Sequence, residues 1–182
     1  MKRLWNAAPV IALGLMFGLL ALAEVAAGLS SERRTMSEGA WKPYVSEVDA
    51  AIARGDVNGA TRAWYDARTV AARSGRWPAL VETADAYRRL APVAGVRDGG
   101  ASVARELYLE ALFRARAAKS LAGVVRATEG FESLGDRDVV AQGLRVARGV
   151  AARDADGAAR ARLEALTQRV STTGSPSTAV RF

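Results

Sequence analysis

From Trp41 to Val170, apolar residues recur at the three- and four-residue spacing of an α-helix. Only short gaps rich in Gly, Asp and Ser interrupt the pattern. Trp41, Tyr44, Val45, Val48, Ala51 and Ile52 mark a first helix. Gly55-Asp56 stops it, and Asp56 is placed to cap a second helix carrying Ala60, Ala63, Trp64, Ala67, Val70 and Ala71. Ser74-Gly75 ends that one, and Trp77-Pro78 opens a third with Pro at the first helical position, where its missing N–H costs nothing. The spacing then predicts a loop over residues 91–100 and a fourth helix through Leu107, Tyr108, Ala111 and Leu112. Ser120 caps a fifth, Gly135-Asp136 divides it from a sixth, and a seventh follows Gly157 and runs to about Val170. Short turns between helices of this length make them antiparallel neighbours, so the expected fold is all-α. Residues 171–182 read as a polar, disordered tail.

The chain has 182 residues with no Cys and no His. Structural zinc, iron–sulfur clusters, Cys nucleophiles and Ser–His–Asp triads are therefore excluded, and so are disulfides. No paired carboxylates announce an acid/base site, so the reading is of a protein without catalytic residues, cofactor or metal. Half the residues are hydrophobic but only 7% are aromatic. Closely packed helices with Ala at their contacts fit that balance, and a β protein does not. The net charge of +7 is interspersed along the helices, with no basic stripe interleaved with aromatics, which argues against nucleic-acid binding. An Ala-, Arg-, Gly- and Val-rich chain with Lys only at 2, 42 and 119 suggests a GC-rich bacterial source.

Residues 1–29 point to a membrane. Between Leu4 and Leu29 only Asn6 and Glu24 are polar. A helix needs about 20 residues to cross the hydrocarbon core, and Leu4 to Ala23 supplies them. The same stretch ends in Ala21-Leu22-Ala23, which fits signal-peptidase cleavage. The apolar run exceeds the usual length of a signal core, so a retained anchor is the preferred reading and a cleaved signal the alternative. Arg33, Arg34 and Lys42 nearly balance Lys2 and Arg3 across this segment, and the early Lys-Arg pair favours a cytoplasmic N-terminus with the following domain in the periplasm. Gly14 and Gly18 form a G-x-x-x-G pair, which would let a second membrane helix approach closely. Residues 30–40 are a linker and 41–170 the helical domain.

The candidate caps Ser120 and Asp154 stand 34 residues apart, and Asp56 to Ser120 is close to twice that. A 34-residue period is that of tetratricopeptide repeats. Around the first turn, Ala51-Ile52-Ala53-Arg54-Gly55-Asp56 followed by Ala60, Trp64 and Ala67 resembles that family over about 17 residues. The first helix departs from the family pattern at Glu47, Val48 and Ala51, and the closing Pro is missing. The resemblance implies a right-handed stack of helix pairs with a concave face that binds protein segments. A helical bundle without repeats is the competing architecture.

Trp41, Trp64, Tyr87 and Tyr108 are expected in the core. Arg54-Gly55-Asp56 is read as turn geometry rather than an adhesion motif, and Asp136, Asp138, Asp154 and Asp156 as helix-start residues rather than metal ligands. For a binding face, arginines and aromatics on the inner helices are the candidates, represented by Tyr44, Arg88 and Arg105, since such residues dominate binding hot spots. The functional expectation is a membrane-anchored, non-enzymatic protein-interaction module serving as an accessory or assembly subunit. A secreted periplasmic binding protein is the alternative.

Overall fold

The computed structural model describes residues 39–96 and 98–174. Among the described residues there are seven α-helices and no strand. They are α1 (Lys42–Ala53), α2 (Val57–Ser74), α3 (Trp77–Val93), α4 (Asp98–Ala117), α5 (Leu121–Ser133), α6 (Arg137–Ala151) and α7 (Gly157–Gly174). No helix among them is long and apolar enough to cross a membrane. The expected membrane segment, with Gly14 and Gly18, lies outside the described residues, as do residues 175–182 of the expected tail.

The helices form two layers. Each packs on the next in sequence, and α1, α3, α5 and α7 also pack successively on one another. The even-numbered helices form the second layer and meet each other far more sparsely. Three turns joining the two helices of a pair share one geometry. Gly55, Gly95 and Gly135 adopt φ of +73°, +71° and +77°. At the first, Gly55 N–H donates to Ile52 O (3.0 Å) and Asp56 N–H to Ala51 O (2.9 Å). Val96 to Ala91 (2.9 Å) and Asp136 to Phe131 (3.1 Å) repeat the longer bond. This is the left-handed C-terminal cap that glycine adopts without the Cβ penalty. The three glycines stand 40 residues apart (95 − 55 and 135 − 95).

That interval corrects the phase read from the caps. Ser120 and Asp154 lie at the starts of α5 and α7, both in the odd layer, whereas Asp56 starts α2 in the even layer. The 34-residue spacing is thus one step of the odd layer, and the step from Asp56 to Ser120 joins unlike positions. Two boundaries also differ. The expected loop over 91–100 shrinks because α3 continues to Val93 with Pro92 in its last turn, where only one helical hydrogen bond is forgone. Helix α4 begins at Asp98, and Gly100 crosses α3 so closely that a Cβ there would lie 2.7 Å from that of Ala91. At the far end, α7 extends past Val170 to Gly174, with Ser171 Oγ donating to Thr167 O (2.9 Å).

The core lies between the layers. Helix α2 presents Ala60, Ala63, Ala67 and Ala71, all buried, so its neighbours approach closely. Trp64 fills the space left, with its indole N–H donating to Thr83 O (3.1 Å) and its ring against Tyr87 (centroids 4.4 Å apart). Trp41, Trp64 and Tyr108 are buried as the sequence implies, while Tyr87 is half-buried. Between α4 and α5, the Tyr108 ring lies on Gly130, where a Cβ would fall 2.6 Å from it. Asp56 and Ser120 cap as expected, accepting from Gly59 N–H (2.8 Å) and Gly123 N–H (3.1 Å).

Candidate protein-binding face

Helical spacing aligns polar and charged side chains along the odd layer. On α3, Glu82, Asp85 and Arg89 fall at i, i+3 and i+7; on α5, Arg126, Glu129 and Ser133 do the same. Packing then pairs them across neighbouring helices. Arg89 grips Asp49 of α1 through two bonds (2.8 and 3.0 Å). Asp85 of α3 accepts from Arg126 of α5 (2.5 Å). Glu129 and Glu132 of α5 accept from Arg162 (3.2 Å) and Arg169 (3.0 Å) of α7. Hydrogen bonding to Glu132 raises the Arg169 pKa further above its ordinary value, with burial acting against it. These bonds form a ladder across the four odd helices.

One rung reaches into the core. Tyr108, carried by α4, passes between α3 and α5 and donates its hydroxyl to Asp85 (2.5 Å). Burial and, after it, the bond to Asp85 push the Tyr108 pKa up to about 12, with Arg88 acting in the opposite direction. Asp85 thereby joins three helices.

Two hollows open along the α3–α5 seam. The larger, about 380 Å³, is lined by Asp85, Arg88, Arg89, Arg126, Glu129 and Ser133 together with Gly130. The smaller, about 210 Å³, has Trp77, Pro78, Val81 and Ala122 as its apolar lining and Glu82, Arg126 and Arg162 as its polar one. Arg126 borders both. Three of the four arginines along the seam are ion-paired: Arg89, Arg126 and Arg162. Among the described residues Arg88 has no carboxylate within ion-pair distance; its guanidinium donates to Ser133 Oγ (2.7 Å).

The three residues singled out from sequence separate. Arg88 lies in the larger hollow. Tyr44 sits on α1, 39% exposed, and lines neither hollow. Arg105 is not on an odd helix at all. It stands on α4 and clasps Asp136 at the start of α6 through two bonds (2.6 and 2.8 Å). That contact holds the Asp136 carboxyl below its ordinary value, burial partly offsetting it, and raises the pKa of Arg105. Asp136 consequently occupies the N-cap position of α6 without bonding its amides. The other expected helix-start residues divide the work. Asp156 accepts from Ala159 N–H (3.0 Å) and caps α7, whereas Asp154 accepts from Asp156 N–H (2.8 Å) and, 33 positions away, Leu121 N–H at the start of α5 (2.9 Å). Those backbone bonds, Asp156 first, lower the Asp154 pKa.

Sequence reasoning missed Asp85, Arg126 and Glu129. The available signal was a charge at every third or fourth position of both α3 and α5. Among the described residues no cluster of three Asp or Glu side chains is arranged to hold a metal ion. The chain matches no known protein family, no curated protein and no solved structure.

Proposed function

We propose that this chain is a membrane-anchored, non-enzymatic protein-interaction module, an accessory or assembly subunit that presents its helix-pair stack in the bacterial periplasm. Residues 1–29 hold it in the inner membrane, and Gly14 and Gly18 give that segment a surface for a second helix. The layout is tetratricopeptide-like, with the odd helices forming the partner-facing layer. The α3–α5 seam is the observation that carries this reading. Its hollows are lined by charged side chains beside an apolar patch, and among the described residues Arg88 has no carboxylate within ion-pair distance. Guanidinium groups and aromatics at the centre of a face are the usual energetic anchors of protein interfaces. Ala21-Leu22-Ala23 supports a second reading, in which cleavage releases the same stack as a soluble periplasmic binding protein.

A photo-crosslinking amino acid placed at Ser133, beside the larger hollow, tests the reading in native membranes, with Asp66 on the outer surface of α2 as control. Discrete adducts at 133 but not at 66 are expected. No adducts, or the same pattern at both positions, would reject this face. The intact mass of the recovered chain decides between anchor and released forms.

A further inference from the structure

The two hollows differ in chemistry, and the difference specifies a ligand. Trp77, Pro78, Val81 and Ala122 give one end of the seam an apolar lining. At the other end Arg88 is bound to a neutral serine. An arginine there is complemented most strongly by a carboxylate, which accepts from it through charge-assisted bonds. Along α3 the two ends are separated by the rise from Pro78 to Arg88, ten residues at 1.5 Å each, or about 15 Å. An extended chain advances about 3.3–3.6 Å per residue, so about four or five residues cover that span.

We propose that the α3–α5 seam binds an extended segment of a protein partner in which an acidic side chain stands four or five residues from a large apolar one. The acidic group displaces Ser133 from Arg88, and the apolar side chain covers Trp77 and Ala122. Arg126 stays on Asp85 between the two subsites and separates them. This assignment rests on the odd-layer reading above and adds the partner's chemistry to it.

The test uses the full chain in detergent micelles and fluorescein-labelled nine-residue peptides of Ser and Ala. Each peptide carries one Leu and one Asp, in either order, at separations of one to seven positions, with matched peptides having Asn for Asp. Fluorescence anisotropy reads the affinity. The expected profile peaks at a separation of four or five, and Asn in place of Asp weakens the best peptide about tenfold. Arg88→Gln removes that tenfold preference and leaves the Asn peptide unchanged, whereas Arg88→Lys retains part of it. Ala122→Phe fills the apolar hollow and weakens both peptides. Circular dichroism of each variant establishes that the helices are intact. A flat profile, or equal losses for Asp and Asn peptides in Arg88→Gln, overturns the assignment; if adducts at position 133 persist, the odd-layer reading survives it. Absence of both adducts and peptide binding removes both. Adducts of twice the chain's own mass identify a second copy as the occupant and also overturn the assignment.

Discussion

Along the odd-numbered helices every neighbouring pair is joined by an ion pair: Asp49–Arg89, Asp85–Arg126, and Glu129–Arg162 with Glu132–Arg169. The even layer, among the described residues, has Arg105–Asp136 between α4 and α6, and it exposes Tyr65, Leu109 and Phe113. The charged layer is nevertheless the more closely packed of the two. Its rungs are at least partly open to solvent, and the outermost, Asp49–Arg89, is about half-exposed, so they do not account for that. Exposed ion pairs contribute about 0–1 kcal/mol each, whereas burying one large side chain contributes about 1.5–3 kcal/mol. The stack is held by the Ala-, Gly- and aromatic-filled space between the layers. The ladder fixes where the charges of the odd layer stand relative to one another.

That division of labour can be broken at three levels. The largest effect is expected where both layers share one side chain. Trp64→Ala empties a buried site contacted by Tyr87 and bonded to Thr83. It should cost about 3–5 kcal/mol, read by urea denaturation. A loss below 1 kcal/mol would show that the layers are not joined there. Tyr108→Phe removes the bond to Asp85 while leaving Arg126 in place, with an expected cost of about 1–2 kcal/mol. Its signature is a pH dependence. The folded protein holds the Tyr108 proton up to about pH 12, against an ordinary value of 10. Its contribution is therefore complete below pH 10 and lost as pH rises from 10 towards 12. Wild type should show that decline beyond what Tyr108→Phe shows; parallel pH profiles would place the phenol outside this account. The smallest effect belongs to the ladder itself. Asp49→Asn or Arg89→Gln separates groups that are 48% and 47% exposed. A change under about 1 kcal/mol is expected, vanishing at high salt. A larger, salt-insensitive loss would make the charged rungs structural after all.

The helices and core were readable because both depend on local periodicity. Trp41, Trp64 and Tyr108 needed nothing beyond their own helix faces to be placed inside. The caps at Asp56 and Ser120 were readable for the same reason, since each bonds three residues away. The site was harder. Asp85 acquires its role from Tyr108 and Arg126, 23 and 41 positions distant. No local pattern shows which charges such a stack will bring together. Arg105 resembled Arg88 in sequence, and only the layer assignment separates them. Asp136 followed the Gly-Asp pattern of Asp56, yet the nearby guanidinium drew its carboxylate away from the helix amides. The resemblance to tetratricopeptide repeats rested on one turn and on a 34-residue spacing of candidate caps; the turn itself recurs at 40 residues when followed through Gly95 and Gly135.

Equal spacing of those glycines makes the stack a ruler with equal divisions. A 40-residue block cut at two such turns begins and ends on a glycine of the same left-handed conformation, so adding or deleting one would keep the backbone geometry of both junctions. Each block would lengthen the odd layer by one interhelical step, about 8–10 Å. Seams of the α3–α5 kind would be gained or lost whole, and the length of the odd-layer surface would change in discrete increments.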